Sequence, residues 1–365
     1  MNIEKSIFES PENPSNLKKE KTDFEKELDD FIQARNREQK ERSEASLSIS
    51  IDRVKLQEVI NKGKFDEDER ELMERMLRLP EKLEFPKGIV LIRGKNGRGK
   101  STLAKAIYLS MAIKHKAEQT RLGIASNSEK NFSVHKNDSE DIERFKNAET
   151  EAQDAILNPN YGKDIEFITS AGLASELCKA VKLEDAFSRS FIKYVDVSTL
   201  GSEFKDERAD MMGGSYTFGG GVKEMRKAGA ELAKVHGSTR QQIDWALPHR
   251  LHSLAGKPED PNDPGRTKES VFFIDEFEKG IDGDRHLQIL EEINVLVEGE
   301  KKPQQPKSIA IMPSNSPILP FSNLPQINID FPERGIHKPS EYDDEREILG
   351  KFIERAKEAL EEPSS

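Results

Sequence analysis

The chain has 365 residues, with 57 Lys and Arg against 68 Asp and Glu, a formal net charge of −11. Charged and apolar residues each make up 34 %, so much of the chain must be solvated surface, and the acidic balance gives no indication of nucleic-acid or anionic-membrane binding beyond a local basic groove. No run of eighteen apolar residues occurs, which excludes a transmembrane helix; Met1–Lys5 opens no apolar leader, and the single cysteine, Cys178, excludes an intrachain disulfide and any multi-cysteine metal site, so a reducing, cytoplasmic setting is expected.

Residues 1–46 read as a charged arm broken early by Pro11 and Pro14. From Thr22 to Arg42 the composition suits a helix, with Phe24, Leu28, Phe31 and Ile32 on one stripe. Leu47–Ile51 alternates and predicts a short strand. Asp66 is placed to cap a helix through Leu79 whose apolar face is Leu72, Met73, Met76 and Leu77. Pro80 and Pro86 bracket a turn. The apolar run Ile89–Ile92 predicts a strand, and Thr102–Ile107 has helical spacing, with the helix expected to reach about His115.

Residues 121–163 are rich in Asn, Ser, Lys and Glu and read as an insertion, partly loop. Ile165–Thr169 predicts a strand, Ala171–Val181 a helix and Phe191–Val197 another strand. A glycine cluster spans Met211–Gly221, a helix is expected over Val222–Val235, and three prolines mark Lys257–Thr267 as a surface loop. Val271–Ile274 is an apolar strand ending in Asp275 and Glu276. Asp284–Leu296 is expected to be helical, Ile309–Met312 a strand, Ile327–Phe331 a last strand, and Ser340–Leu360 an amphipathic tail helix with Ile348, Leu349, Phe352, Ile353 and Leu360 on one side.

Two stretches carry chemistry. Gly94-Lys95-Asn96-Gly97-Arg98-Gly99-Lys100-Ser101-Thr102 lies between a strand and a helix, the context of a phosphate-binding loop. Its glycines let consecutive N–H groups turn toward one anion, and the new helix adds its N-terminal dipole. Lys100 then reaches the β- and γ-phosphates and the Ser101 hydroxyl ligates Mg²⁺. The second stretch is Asp275-Glu276. Asp275 is expected to complete the Mg²⁺ shell, and Glu276 to position or activate the attacking water.

The loop Gly-x-Asn-Gly-x-Gly-Lys-Ser-Thr resembles that of ATP-binding-cassette (ABC) ATPases. The run Asp275-Glu276-Phe277-Glu278-Lys279-Gly280-Ile281-Asp282 resembles their Walker B and D-loop, and Arg285–Leu290 is similar to the helix that follows in a soluble branch of ATPases related to the SMC-type proteins. That resemblance implies a three-layer α/β P-loop NTPase fold with a central, mostly parallel sheet, an inserted lobe and helical extensions. It also implies ATP and Mg²⁺ as cofactors and an ATP-dependent homodimer acting on a protein effector. Members carry Thr-His-Ser-Pro after the next strand, whereas this chain has Ser314-Asn315-Ser316-Pro317. Asn315 replaces the switch histidine; it can hydrogen-bond a γ-phosphate or water but cannot hold a positive charge, so slow hydrolysis or an altered switch is expected. The signature segment that touches the opposite subunit's nucleotide falls at Gly237, within His236–Gln242, or at Phe218–Gly221. Gln119 is the candidate for a magnesium-contacting glutamine.

The resulting division is a charged arm over 1–46, an ATPase core over 47–114 and 266–332, an inserted lobe over 115–265 and a C-terminal helix over 333–365. Two other functions compete. A ring-forming AAA+ ATPase would use Asn315 as its sensor, although the long separation between Lys100 and Asp275 speaks for the ABC reading. A nucleotide-gated interaction module would hydrolyse weakly.

Overall fold

A computed structural model describes residues 47–130, 138–157, 172–183, 191–196, 270–278, 308–316 and 323–348, with further positions within 24–33, 289–297 and 350–354. The expected strand at Ile165–Thr169, the glycine cluster with its following helix, and the loop at Lys257–Thr267 lie outside the described residues.

The organising element is a six-stranded sheet. Its strands are β3 (Gly88–Arg93), β5 (Phe191–Asp196), β6 (Ser270–Asp275), β7 (Ile309–Pro313), β8 (Gln326–Asn328) and β9 (Ile336–His337), in the order β5-β6-β7-β3-β8-β9. All neighbours are parallel except β8 and β9. Side chains alternate across a strand, so each strand feeds two cores. Val90 and Ile92 join Val271, Phe273, Ile309 and Ile311 on one face. Ile89 and Leu91 join Phe272, Ile274, Ala310 and Met312 on the other, beneath Ile289, Ile293 and Val297. This is the three-layer α/β arrangement that the sequence implied.

The first face is covered by α3 (Lys100–Lys130), which buries Leu103, Ala104 and Ile107. A second, antiparallel sheet joins the same core. It consists of β1 (Leu47–Ile51), β2 (Lys82–Phe85) and β4 (Val181–Leu183) in the order β2-β1-β4. Helices α1 (Arg53–Lys62), capped by Asp52, and α2 (Glu67–Met76), with a capping box between Asp66 and Glu69, complete this side. α2 buries Leu72, Met73 and Met76 as expected, but ends at Met76 rather than Leu79.

Several expectations change. Residues between Pro80 and Pro86 form strand β2 instead of a turn, with Leu83 and Phe85 buried and Lys82 and Glu84 exposed. α1 has no counterpart in the sequence reading. α3 continues past His115 to Lys130, and residues read as partly loop form α4 (Asp138–Leu157). Phe145, Ala148, Ala152 and Ile156 are the buried stripe of α4, at helical spacing but half alanine, so its hydrophobic signal is weak. The helix expected to end at Val181 is α5 (Gly172–Cys178), and Val181 opens β4. β8 stops at Asn328. The tail turns helical near Asp343, but Ile348 on it is 61 % exposed.

The N-terminal stripe is covered. Phe24, Leu28, Phe31 and Ile32 pack on Ile124 and Ala125 of α3 and on Phe145 of α4. Phe24 and Phe31 meet the Phe145 ring edge-on at 5.5 and 5.7 Å. Among the described residues no helix is long and apolar enough to cross a membrane.

Candidate nucleotide site at the strand ends

Parallel strands share one carboxyl edge, and in open α/β sheets that edge is where ligands sit. Here it brings together the residues after β3, β6 and β7. After Arg93 the chain enters the glycine loop. Gly97 and Gly99 adopt φ of +73° and +92°, values that side chains with a Cβ resist. A Cβ on Gly97 would meet nothing within 4 Å, whereas one on Gly99 would lie 2.7 Å from Leu72 of α2. Gly97 is therefore glycine for its backbone, and Gly99 for both backbone and packing.

The loop closes onto the first turn of α3, where the Leu103 amide donates to the Gly99 carbonyl at 2.9 Å. Lys95, Asn96 and Gly97 are exposed, and Thr102 is half-buried. The Lys95 amide donates to Asp330 Oδ2 at 3.1 Å, tying the loop to the segment after β8. Arg98 faces outward to Glu71 at 3.2 Å, an exposed pair of small energetic weight.

Lys100 is the buried cation of the site, only 6 % exposed. Its ammonium folds back across the loop and donates to the carbonyls of Gly94 and Lys95, both at 2.9 Å. Burial lowers its pKa from the ordinary lysine value, and the carboxylates of Glu278, Asp330 and Asp275 act in the opposite sense.

Ser101 and Asp275 are 174 positions apart in the chain, and the Ser101 hydroxyl donates to Asp275 Oδ1 at 2.9 Å. Asp275 is 3 % exposed. The same oxygen accepts the Glu276 amide at 3.1 Å, and Oδ2 accepts the Tyr194 hydroxyl at 2.6 Å. Glu276 is half-exposed with φ of +53°, a left-handed conformation unusual for a residue with a side chain. Such backbone costs on the order of 1–3 kcal/mol and concentrates at functional positions. Asn315 is exposed at the tip of β7, and its amide donates to the Glu278 carboxylate.

The chemistry of this donor set fits a small hard cation carried by a polyphosphate. Among the described residues no group of three or more His, Cys, Asp or Glu side chains converges to hold a metal. A hydroxyl and a carboxylate in contact beside a turn of amides form an oxygen set suited to Mg²⁺, which takes one or two protein ligands and completes its shell with phosphate and water.

Lys100, Ser101, Asp275, Glu276 and Asn315 thus share one edge. Gly237, its rival Phe218–Gly221, and Asp282 lie outside the described residues. Gln119 does not reach the site: it is exposed on α3, roughly 28 Å along the helix from Lys100 at 1.5 Å per residue. Sequence reasoning missed Tyr194, Glu278 and Asp330 as site residues. Glu278 stood in the acidic run with no feature to separate it from a solvated carboxylate. Tyr194 is one aromatic in an apolar strand, and only the pairing of β5 with β6, Tyr194 opposite Phe273, places it on the face that Asp275 shares.

The sheet, its flanking helices and the loop at its carboxyl edge define a P-loop NTPase fold. Residues 75–207 match a family model described as an AAA domain, a stretch that includes the glycine loop and ends before β6. Neither the curated proteins nor the solved structures give a match. The AAA-domain match supports placement in the P-loop NTPase superfamily and points to nucleotide-binding ATPase chemistry.

Proposed function

We propose that this chain is a Mg²⁺-dependent ATPase of the ABC type, which closes as a homodimer around ATP and regulates a protein partner. One observation carries the ATPase reading. The loop hydroxyl of Ser101 and the strand-end carboxylate of Asp275 meet at 2.9 Å beside the buried Lys100 ammonium. The amides of Gly97 to Ser101 would receive the phosphates, and the polyphosphate charge would offset the desolvation of Lys100. Ser101 and Asp275 would hold Mg²⁺, which when bound neutralises charge on the phosphate oxygens. Glu276 would orient a water and take its proton as the water oxygen bonds to the γ-phosphorus. The bond from that phosphorus to the leaving oxygen breaks, giving ADP and phosphate.

The ABC reading is supported by the Asn96-Gly97 pair and the run through Asp282, with Gly237 as the segment offered to the partner's nucleotide. Asn315 stands where an uncharged side chain can bond a phosphate or water without adding positive charge, which favours slow turnover. A ring-forming AAA+ ATPase is the second reading. The position of Asn315 after β7, the strand between β3 and β6, supports it, whereas the AAA-domain match is common ground for both readings. An ATP-dependent dimer in solution supports the first reading and an ATP-dependent hexamer the second.

Phosphate release tests the catalytic assignment. Glu276→Gln is expected to slow release by about 100-fold or more while ATP still binds, the usual weight of a general base. Equal rates in wild type and variant would remove Glu276 from the mechanism and favour a nucleotide-gated module in which hydrolysis is vestigial.

A further inference from the structure

The Asp275 carboxylate is held from two sides. Ser101 and the Glu276 amide occupy Oδ1, and the Tyr194 hydroxyl occupies Oδ2 at 2.6 Å, within the range of a charge-assisted O–H···O⁻ bond. Both Tyr194 and Asp275 are buried, at 9 % and 3 % exposure, so this bond is shielded from water.

The tyrosine ring is itself fixed. It stacks on Phe273 with centroids 6.1 Å apart and planes 13° apart, and the Tyr108 ring of α3 meets it edge-on at 5.5 Å. Tyr108 also meets Phe273, at 5.6 Å. β5, β6 and α3, the helix that carries Ser101, therefore converge on one phenol. A ring held by two aromatic neighbours that also touch each other makes its hydroxyl a rigid donor, and a rigid donor on Oδ2 fixes the plane of the carboxylate. With that plane fixed, Oδ1 faces Ser101 and accepts the hydrogen bond from its hydroxyl, which leaves the serine oxygen's lone pairs for another partner.

We propose that Tyr194 is a positioning residue for the divalent cation, setting the orientation of Asp275 and through it the metal-facing lone pair of Ser101. The inference rests on the Mg²⁺–ATP reading of the site. It differs from a purely structural role, in which the hydroxyl would only satisfy a buried carboxylate and its loss would lower stability without changing metal affinity.

Tyr194→Phe keeps the ring and removes the donor. The full chain is loaded with a non-hydrolysable ATP analogue, and Mn²⁺ binding is followed by electron paramagnetic resonance. Groups that orient metal-holding side chains are worth about 10- to 100-fold in metal affinity or activity. The variant is expected to bind Mn²⁺ roughly tenfold more weakly, to bind the analogue equally well without metal, and to recover its phosphate-release rate at high Mg²⁺. Equal Mn²⁺ affinity in the two proteins overturns the proposal. So does a parallel loss of metal-free analogue binding, which marks a general loosening of the site. If Tyr194→Phe does not fold, p-fluorophenylalanine introduced at position 194 supplies a ring of similar size without a donor, read by the same criteria. A wild type that binds no analogue sinks the nucleotide reading itself, and that outcome is distinct from the others.

Discussion

Two polar assemblies grow from the end of strand β3, and they are built in opposite ways. The glycine loop is a contiguous stretch whose polar groups are mostly backbone, and a Cβ at Gly97 would meet only open space. The other assembly surrounds Glu345 and draws side chains from several segments. Asn328 donates to Glu345 at 3.1 Å and Arg334 at 3.3 Å, His337 lies 3.4 Å away, and Arg93 donates to Gln326 at 2.7 Å. Gln326 and His337 are buried, and Gln326 also donates to Glu345. The loop is tied mainly through its own backbone, with Lys100 folded onto the Gly94 and Lys95 carbonyls, whereas the cluster turns side chains from several segments on one another. The first has the form of a phosphate-binding loop, and the second docks the C-terminal segment. A relay joins them: the Asp330 amide donates to Asn328 Oδ1 at 3.1 Å, and Asp330 accepts the Lys95 amide.

The largest stability effect should come from the closed assembly. Glu345→Ala leaves the buried donors Gln326, Asn328 and His337 without their acceptor, and each buried donor left unpaired costs about 1–3 kcal/mol. Thermal unfolding should show a correspondingly large fall in Tm, with a smaller loss of ATP affinity through the Asp330 relay. A variant that keeps its Tm would mean that the cluster does not dock the tail.

Gly99→Ala should be smaller in stability and larger in function. The new methyl would meet Leu72 at 2.7 Å on a residue held at φ of +92°. Strained backbone of this kind costs on the order of 1–3 kcal/mol. The chain should remain folded with ATP binding much reduced. Leu72→Ala added to it should restore only the steric part, and full restoration would show that the positive φ carries no weight.

Acid provides the mildest probe. Burial alone would raise the Glu345 carboxyl, but hydrogen bonds from His337 and Asn328, with the charge of Arg93 nearby, hold it below the ordinary glutamate value of 4.5. Its contribution is therefore present above pH 4.5 and is lost as pH falls through the lower folded value. Amide exchange in residues 326–345 should accelerate in that acid window more in wild type than in Glu345→Gln, which has no carboxyl to titrate. Identical pH profiles would contradict the assignment.

The same contrast explains what the sequence could reveal. A loop built from consecutive residues leaves a consecutive pattern, so Gly94–Ser101 was legible before any coordinate. β3, β6 and β7 were equally clear, because strands buried on both faces read as unbroken apolar runs, and the acids at Asp275 and Glu276 marked where one run ends. Together these elements implied the α/β fold. The Glu345 cluster was invisible, since Arg93, Gln326, His337 and Glu345 become neighbours only after β8 and β9 pair and the tail folds back. Tyr194 was hidden for a related reason: strand register, not spacing, puts its hydroxyl on Asp275. α4 escaped because two of its four buried positions are alanine, and β2 because four residues between prolines look like a turn until they pair with β1.

The central claim is that the amides and lysine of one loop grip a polyphosphate whose metal is held by Ser101 and Asp275. Equilibrium binding of a non-hydrolysable ATP analogue with Mg²⁺ to wild type and Lys100→Ala tests it most directly. Lys100 bonds only backbone carbonyls among its described hydrogen bonds, so the variant should keep its Tm. Loss of charge-assisted bonds worth about 1.5–3 kcal/mol each should weaken binding by roughly 100-fold. An affinity equal to that of wild type would contradict the account.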